Sequence, residues 1–389
     1  QTVVTAFPFT TPDLTPPTLS GIGTREVLET TGKLDVTENE VGKVYVAVVL
    51  ASAAAPSAAQ LKAQSVGVSR GVLNAAAGVS GTVTLSSMVA KTSYNAYLVG
   101  EDAAGNLSPV STHFFATPDL TPPVLSGVGT REVTETTGKL DVTQNENGNV
   151  YVAVLLASAA TPSVAQLKAQ SVGISKNVLT ATAATGLEWT MTGLASLNSY
   201  KAYLVGEDAV LNIQAAVTVQ VFSTPDLTPP TLSGIGTREV TETTGKLDVT
   251  QNENGKVYVA VLSPSADVPT AAQLKGKTVG IFKATLDVVS NVPGVVALSS
   301  LVAKSTYNAF LVGEDSSGNF SPVEGHFFST PDLTPPVLSN IGTRSMQETS
   351  GVLDATQDES GKIYLLVRLV AEAVPSVTEL RTTGSSHRV

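Results

Sequence analysis

The pattern of apolar and polar positions predicts β-strands along the whole chain. Residues 256–262 are mostly β-branched or aromatic and are apolar on both faces, as in a central strand of a sandwich. Residues 307–312 instead alternate, with Tyr307, Ala309 and Leu311 on one face. Segments rich in Gly, Thr and Pro separate such runs and are typical of turns. The pattern therefore predicts an all-β fold built from short strands.

A short helix is predicted at four places where a Ser or Thr follows a proline. A Gln or Glu stands three residues later and a leucine comes next, which is the pattern of a capping box. In a capping box the hydroxyl accepts from a backbone amide of the first turn, and the Gln or Glu accepts from the amide of the capping residue. The pairs are Ser57 and Gln60, Ser163 and Gln166, Thr270 and Gln273, and Ser376 and Glu379.

An internal repeat is the strongest feature of the sequence. The segment Thr-Pro-Asp-Leu-Thr-Pro-Pro begins at Thr11, Thr117, Thr224 and Thr330, so its spacing is 106 or 107 residues. A period of this length is a whole domain rather than a turn of a solenoid. We therefore predict five segments. They are the last strand of a preceding repeat with its linker (1–13), three β-sandwich repeats (14–119, 120–226 and 227–332) and the first half of a fourth repeat (333–389).

The residues around two tyrosines resemble the tyrosine-corner signature of fibronectin type III-like domains. Leu194 and Leu301 stand six residues before Tyr200 and Tyr307. The later Val-Gly-Glu-Asp segment and the Asp-x-Thr-Pro-Pro linker are similar to modules found in series in surface adhesins and extracellular appendages of bacteria and microbial eukaryotes. The resemblance implies tandem Ig/fibronectin III-like β-sandwich modules, each with one short helical turn, and an extracellular or cell-surface location. The tryptophan typical of strand B is missing.

Both ends of the sequence cut through repeats. Residues 1–10 align with the last strand of a repeat, with Val4 matching Val110 and Phe9 matching Phe115. The last repeat has the first three strands and stops just after its helix. We favour a window of a longer repetitive protein. The alternative is head-to-tail strand donation between chains, but one donated strand cannot replace several missing ones. Either interpretation implies a rod or filament, with a neighbouring copy as partner.

Composition argues against several classes of function. The net charge is −10, which argues against nucleic acid or an anionic membrane face as a partner. No apolar run is long enough to span a bilayer, so we expect no membrane insertion. Cysteine is absent and only His113, His326 and His387 could serve as histidine bases. No nucleophile with a base and no phosphate-binding loop stands out, so we expect no enzyme activity.

Calcium is the one cofactor that the sequence suggests. Acidic residues of the linker, the B–C loop and the F–G loop are expected to meet where the chain enters each sandwich. Carboxylate and carbonyl oxygens at such a junction suit Ca²⁺, which would stiffen the joint. The alternative is that these carboxylates only hydrogen-bond their own turns, because their spacing matches no defined calcium motif. The candidate ligands are Asp13, Glu40, Glu101, Asp102, Asp119, Glu146, Glu207, Asp208, Asp226, Glu253, Glu314 and Asp315.

Glycosylation is the second candidate modification of the surface. Two N-glycosylation sequons occupy equivalent loop positions, although a proline follows each, and the middle copy has Asn212-Ile-Gln instead. The linkers are rich in Thr and Pro and suit O-glycans, whereas the same residues alone also make a stiff linker. The candidate sites are Asn106, Asn319, Thr11, Thr15, Thr117, Thr121, Thr224, Thr228, Thr330 and Thr334.

Two functions from different classes remain. Residues 125–154 and 232–261 differ at only two positions, which favours a structural rod, stalk or filament of a cell-surface appendage, because a spacer needs every copy alike. The alternative is an adhesin whose modules bind glycan or a partner surface. An adhesin predicts an exposed aromatic patch, and Trp189 is the one hint of such a patch.

Overall fold

The structure is a computed structural model that describes residues 6–388, with side chains up to residue 384. It contains two compact units, Gln1–Asp226 and Leu227–Val389. The first unit holds the first two predicted repeats, which we call modules 1 and 2. The second unit holds the third predicted repeat, module 3, and the shorter repeat 4.

Each of the three modules is a sandwich of two antiparallel sheets, which confirms the predicted all-β class. The first, second and fifth strands form one sheet. The other sheet has the order fourth, third, sixth, seventh. Two of these seven strands, the fourth and fifth, were not singled out by the apolar pattern, because their outward positions mix polar residues with exposed valines such as Val72, Val178 and Val295.

The elements follow the same order in every module. Module 1 contains β1 (Leu19–Arg25), β2 (Gly32–Glu38), β3 (Gly42–Leu50), α1 (Ala58–Lys62), β4 (Ser69–Ala75), β5 (Ser80–Leu85), β6 (Ser93–Asp102) and β7 (Ser111–Ala116). Module 2 contains β8 (Leu125–Arg131), β9 (Gly138–Gln144), β10 (Gly148–Leu156), α2 (Val164–Lys168), β11 (Ser175–Ala181), β12 (Gly186–Met191), β13 (Ser199–Asp208) and β14 (Thr218–Ser223). Module 3 contains β15 (Leu232–Arg238), β16 (Gly245–Gln251), β17 (Gly255–Leu262), α3 (Ala271–Lys275), β18 (Phe282–Val288), β19 (Gly294–Leu298), β20 (Thr306–Asp315) and β21 (Glu324–Ser329).

The third strand of each module is buried on both faces, as its apolar run predicts. In β3, Val44, Val46 and Val48 point into the core between the two sheets. Tyr45 and Ala47 point the other way and pack against the helix. Because successive side chains of a strand alternate between faces, one apolar strand can serve both clusters. The helix thus covers the outer face of the larger sheet.

The predicted capping box forms completely in the first three helices. In α2, Gln166 N donates to Ser163 Oγ over 3.2 Å, and Ser163 N donates to Gln166 Oε1 over 2.9 Å. In the helix of repeat 4 only half of the box forms. Glu379 N still donates to Ser376 Oγ, but the Glu379 carboxylate pairs with Arg368 instead. An ion pair therefore competes successfully with the cap when a glutamate replaces the glutamine.

The predicted tyrosine corner is present in all three modules. Ala195 N donates to the hydroxyl of Tyr200 over 2.9 Å, and this ring stacks on Phe222 with centroids 5.6 Å apart. The equivalent bonds join Val89 N to Tyr94 and Val302 N to Tyr307. This contact fixes the loop before the sixth strand against the core.

The two ends of the chain differ in detail from the sequence prediction. Repeat 4 has four strands rather than three, because Ser385–Arg388 pairs with Lys362–Leu365 after the helix. Its elements are β22 (Leu338–Arg344), β23 (Val352–Gln357), β24 (Lys362–Leu365), α4 (Val377–Thr383) and β25 (Ser385–Arg388). At the other end, residues 6–13 form no strand, and Val4 lies outside the described residues. No helix among the described residues is long and apolar enough to cross a membrane.

Tyr200→Phe is expected to destabilise module 2 by about 1 kcal/mol, because the part-buried hydrogen bond from the Ala195 amide to the tyrosine hydroxyl is lost while the ring stacking remains. Hydrogen exchange followed by mass spectrometry on the whole chain measures this for each module, and peptides from modules 1 and 3 provide the internal reference. Unchanged exchange in module 2 would show that the corner contributes nothing.

Candidate metal centre

The loop between the sixth and seventh strands is organised by an aspartate. In module 1, Asp102 Oδ1 accepts from Ala104 N over 2.8 Å and from Asn106 N over 2.9 Å. Asp102 Oδ2 accepts from Asn106 Nδ2 over 2.7 Å. Burial disfavours the charge of this carboxylate, but these hydrogen bonds outweigh it and lower the pKa of Asp102. The carboxylate therefore hydrogen-bonds its own turn, as the alternative to the calcium hypothesis predicts.

The glutamate that precedes this aspartate does not join the other carboxylates. In module 1, Asp102 faces the loop, so the preceding Glu101 faces the helix, because successive residues of a strand point to opposite sides. In module 2 the Glu207 carboxylate accepts from the Tyr151 hydroxyl over 2.5 Å and pairs with Lys168. Glu101 and Glu314 make the same contacts with Tyr45 and Lys62, and with Tyr258 and Lys275. The expectation that all four carboxylates of a junction meet is therefore wrong for this glutamate.

The pKa values of Glu207 and Tyr151 are both shifted from their ordinary values. Burial raises the pKa of this carboxyl, but the hydrogen bonds from Lys168 and Tyr151 outweigh burial and lower it below the usual value. Burial, followed by the bond to Glu207, raises the pKa of Tyr151 to about 12. The ion pair between Glu207 and Lys168 therefore attaches α2 to β13.

Three of the predicted carboxylates do meet at the entrance of each module in the first unit. Oxygens of Asp13, Glu40 and Asp102 lie within 4.8 Å of one another. The same holds for Asp119, Glu146 and Asp208. Each linker aspartate also accepts a hydrogen bond from the backbone two residues later, at Thr15 N and Thr121 N. For the third predicted set, Asp226 is the last residue of the first unit, whereas Glu253 and Asp315 belong to the second.

A lysine that sequence reasoning missed contacts the carboxylates between modules 1 and 2. Lys91 Nζ lies 2.7 Å from Asp119 Oδ2 and also pairs with Glu146. Hydrogen bonds to Asp119 and then Glu146 raise the pKa of Lys91. In the second unit Lys304 lies 2.5 Å from Asp332 and 3.0 Å from Glu359. A lysine ammonium group thus supplies a positive charge to the carboxylates at the linker after module 1 and at the linker after module 3.

A buried glutamate at the end of β2 was also missed. Glu38 is fully buried, and neither of its carboxylate oxygens has a hydrogen-bond partner. Burial, followed by the charges of Glu40 and Asp102, raises the pKa of Glu38 to about 7. Modules 2 and 3 have Gln144 and Gln251 at this position. Comparison of the four copies at each position of β2 would have revealed this difference.

The two sequons are built from residues that the loop itself uses. Asn106 Nδ2 donates to Asp102 and to the carbonyl of Asp13, and Asn212, which lacks a sequon, makes the equivalent bonds. Ser108 Oγ accepts from Gly100 N over 2.8 Å. Local structure therefore accounts for these residues without a glycan, and N-glycosylation at Asn106 and Asn319 stays a prediction.

The linker threonines fall into two groups. Thr117 is buried, and its hydroxyl donates to the carbonyl of Val89 over 2.6 Å. Thr224 and Thr330 are buried in the same way, so an O-glycan at these three positions would require the linker to detach. The remaining candidates are exposed: Thr11, Thr15, Thr121, Thr228 and Thr334.

Lys168→Met is expected to destabilise module 2 by about 1–3 kcal/mol at pH 7, because the buried Glu207 carboxylate loses its cation. The pair stabilises the module above the ordinary pKa of a glutamate, and this contribution disappears as the pH falls through the lowered pKa of Glu207. The penalty should therefore shrink when the pH is lowered from 7 to below the ordinary glutamate pKa of about 4.3. Hydrogen exchange of β13 and α2 peptides at both pH values measures it.

Lys176→Met is the matched control, since Lys176 donates only to the carbonyl of Gln170 among the contacts described. Equal exchange of the Lys168→Met variant and the native chain at pH 7 would contradict the assigned role of Lys168.

Comparison with known proteins adds little to this description. No protein-family model matches the chain, and no curated protein does. Among solved structures, the chain is similar to the FN1–FN3 domains of chicken CNTN1, with 11% sequence identity and a TM-score of 0.28 over 82% of this chain and 99% of that one. So low a TM-score carries no argument. The sheet topology and the tyrosine corner carry the conclusion that the three modules are tandem fibronectin type III-like β-sandwiches.

Proposed function

We propose that the chain is an extracellular structural spacer, part of a rod, stalk or filament. Its linkers are fixed by hydrogen bonds to the neighbouring modules and are not flexible. The observation that carries the proposal is the set of contacts that both neighbouring modules make with the linker between them. A flexible linker would let the modules reorient, whereas a linker that is hydrogen-bonded to both modules keeps their separation and relative orientation constant.

Module 1 holds the linker through a loop glutamate. Glu29 Oε1 accepts from Leu120 N and from Thr121 Oγ1, both over 2.8 Å. Hydrogen bonds from Leu120 and then Thr121 lower the pKa of Glu29, so this carboxylate is charged at neutral pH. The next two residues are prolines, which restrict the backbone further.

Module 2 holds the same linker from the other side. Asn212 Nδ2 donates to the carbonyl of Asp119 over 3.1 Å, and Val124 N donates to Asn145 Oδ1 over 2.6 Å. Lys91 of module 1 bridges the linker and module 2, because it pairs with both Asp119 and Glu146. The linker between modules 1 and 2 is therefore fixed at several consecutive residues.

The linker that follows module 3 repeats these contacts inside the second unit. Glu242 Oε1 accepts from Leu333 N and Thr334 N, both over 2.8 Å. Lys304 bridges Asp332 and Glu359. Recurrence of one joint in both units supports a role that depends on repetition, such as spacing. Glycans on the exposed linker threonines would be compatible with this role.

The adhesin hypothesis rested on one residue of the sequence, Trp189. Trp189 on β12 lies opposite Leu140 and packs against the core of module 2 while remaining half-buried. It is therefore not part of an exposed aromatic patch. We propose no catalytic role, since Glu207, Asp208 and Asp119 are engaged in helix attachment, a turn and a joint between modules.

The Glu29→Ala/Lys91→Ala variant is expected to broaden the distribution of distances between modules 1 and 2, because it removes two attachments of the linker. The chain has no cysteine, so spin labels can be placed on cysteines introduced at the exposed Ala54 and Ala160. Double electron–electron resonance then gives the distribution. The native chain should show a single narrow peak.

Lys33→Gln is the matched control, because Lys33 pairs with Glu26 inside module 1. Its distribution should equal that of the native chain. A native distribution as broad as that of the double variant would mean that the joint is loose, and the spacer proposal would fail.

A further inference from the structure

The seventh strand of each module is an edge of the larger sheet, and among the described residues no strand pairs with its free side. Its outer face is exposed and carries a bulky apolar side chain in every module. Phe114 is 62% exposed, Val221 58% and Phe327 64%. An edge strand presents unpaired amide and carbonyl groups, which are a template for a strand of another chain.

Two of the other edges carry features that oppose such pairing. The first strand of each module has a shift in register against the second strand. It also contains an arginine, and the fourth strand contains an exposed basic residue. Register breaks and basic side chains are among the means by which natural sheets avoid edge-to-edge association. The basic residues of the first strands are Arg25, Arg131 and Arg238, and those of the fourth strands are Arg70, Lys176 and Lys283.

The fifth strand is the remaining edge of the smaller sheet, and it is protected in another way. A Cβ added at Gly81 of β5 would collide with Leu73 of β4. Gly294 of β19 and Leu286 of β18 are equally close in module 3. The fourth and fifth strands therefore close this side of the sandwich in both modules. In module 2 the fifth strand carries the charged Glu188.

The seventh strand has none of these features. β7 and β14 contain no Lys, Arg, Asp, Glu or Pro, and β21 contains only Glu324, at its first position. Their pairing with the sixth strands shows no shift in register. The lack of charge matters because the net charge of −10 makes two copies of the chain repel each other, except where their surfaces are uncharged.

We propose that two copies of the chain associate side by side through their seventh strands, which pair antiparallel and join two four-stranded sheets into one continuous sheet. The partner is a second copy because an identical edge matches both the apolar outer face and the absence of charge, and a two-fold axis relates the two strands. Main-chain hydrogen bonds provide the affinity. Residues directly opposite each other share a face, so the bulky apolar side chains of both strands lie on the same side of the joined sheet. The pairing is independent of the spacer role, and its failure would leave the fixed linkers unaffected.

Sedimentation equilibrium of the whole chain tests the pairing, at concentrations up to about 1 mM, the dissociation constant of a weak complex. The weight-average mass of the native chain should rise with concentration from 39.9 kDa towards twice that value. The Phe114→Lys/Val221→Lys/Phe327→Lys variant should keep the monomer mass, because like charges brought together across two strands oppose their pairing. All three side chains are exposed, so this variant is expected to fold. Unchanged hydrogen exchange of third-strand peptides checks that it does.

Val72→Lys/Val178→Lys/Thr285→Lys is the matched control, because it adds the same three charges at exposed positions of the fourth strand. This variant should associate like the native chain. In the native chain, seventh-strand peptides should also exchange more slowly at high than at low concentration, because their free amides become hydrogen-bonded.

Three results would overturn the proposal. A native chain that stays monomeric would leave the edge to a strand of a different protein. Association that survives in the Phe114→Lys/Val221→Lys/Phe327→Lys variant would involve another surface, such as the exposed apolar residues of repeat 4. Loss of association in the control would mean that added charge alone, rather than charge at the seventh strand, separates the copies.

Discussion

Each module depends on the antiparallel pairing of its third and sixth strands. In module 1 this pair runs from Gly42 opposite Asp102 to Leu50 opposite Tyr94. The third strand is buried on both faces, so its register with the sixth strand determines what lies in the core and what lies under the helix. The same register places Tyr94 at the corner and Asp102 at the loop. A shift by one residue would exchange these faces throughout the module.

Strand alternation also explains the distribution of charge. Consecutive acidic residues at the end of the sixth strand cannot serve one site, because their side chains point to opposite sides of the sheet. In module 2, Glu207 therefore attaches the helix through Lys168, while Asp208 shapes the loop at the module entrance. Two acidic residues that look like a pair in sequence belong to two separate structures.

The buried carboxylates follow one physical rule, which is that a charge removed from water needs a partner. Glu207 has Lys168 and a tyrosine hydroxyl, and Asp119 has Lys91. Glu38 breaks the rule among the described residues, because the amide that fills its position elsewhere is replaced by a second acceptor. The exception stands at the entrance of module 1, near Glu40 and Asp102, whose charges add to the effect of burial on its pKa.

The sequence by itself determined the all-β class, the repeat length, the capping boxes and the tyrosine corners, because these depend on periodicity and on residues a few positions apart. It also named four acidic positions for each junction, of which three meet at the entrances of modules 1 and 2. Only the tertiary structure decided that Glu101 faces the helix, that Lys91 reaches Glu146, that the Thr117 hydroxyl is buried and that the Glu38 carboxylate is buried without a hydrogen-bond partner. Lys91 and Glu146 are 55 residues apart and lie in different modules. Contacts of this kind depend on how strands pair and how modules meet, which a local pattern of apolar and polar residues does not encode.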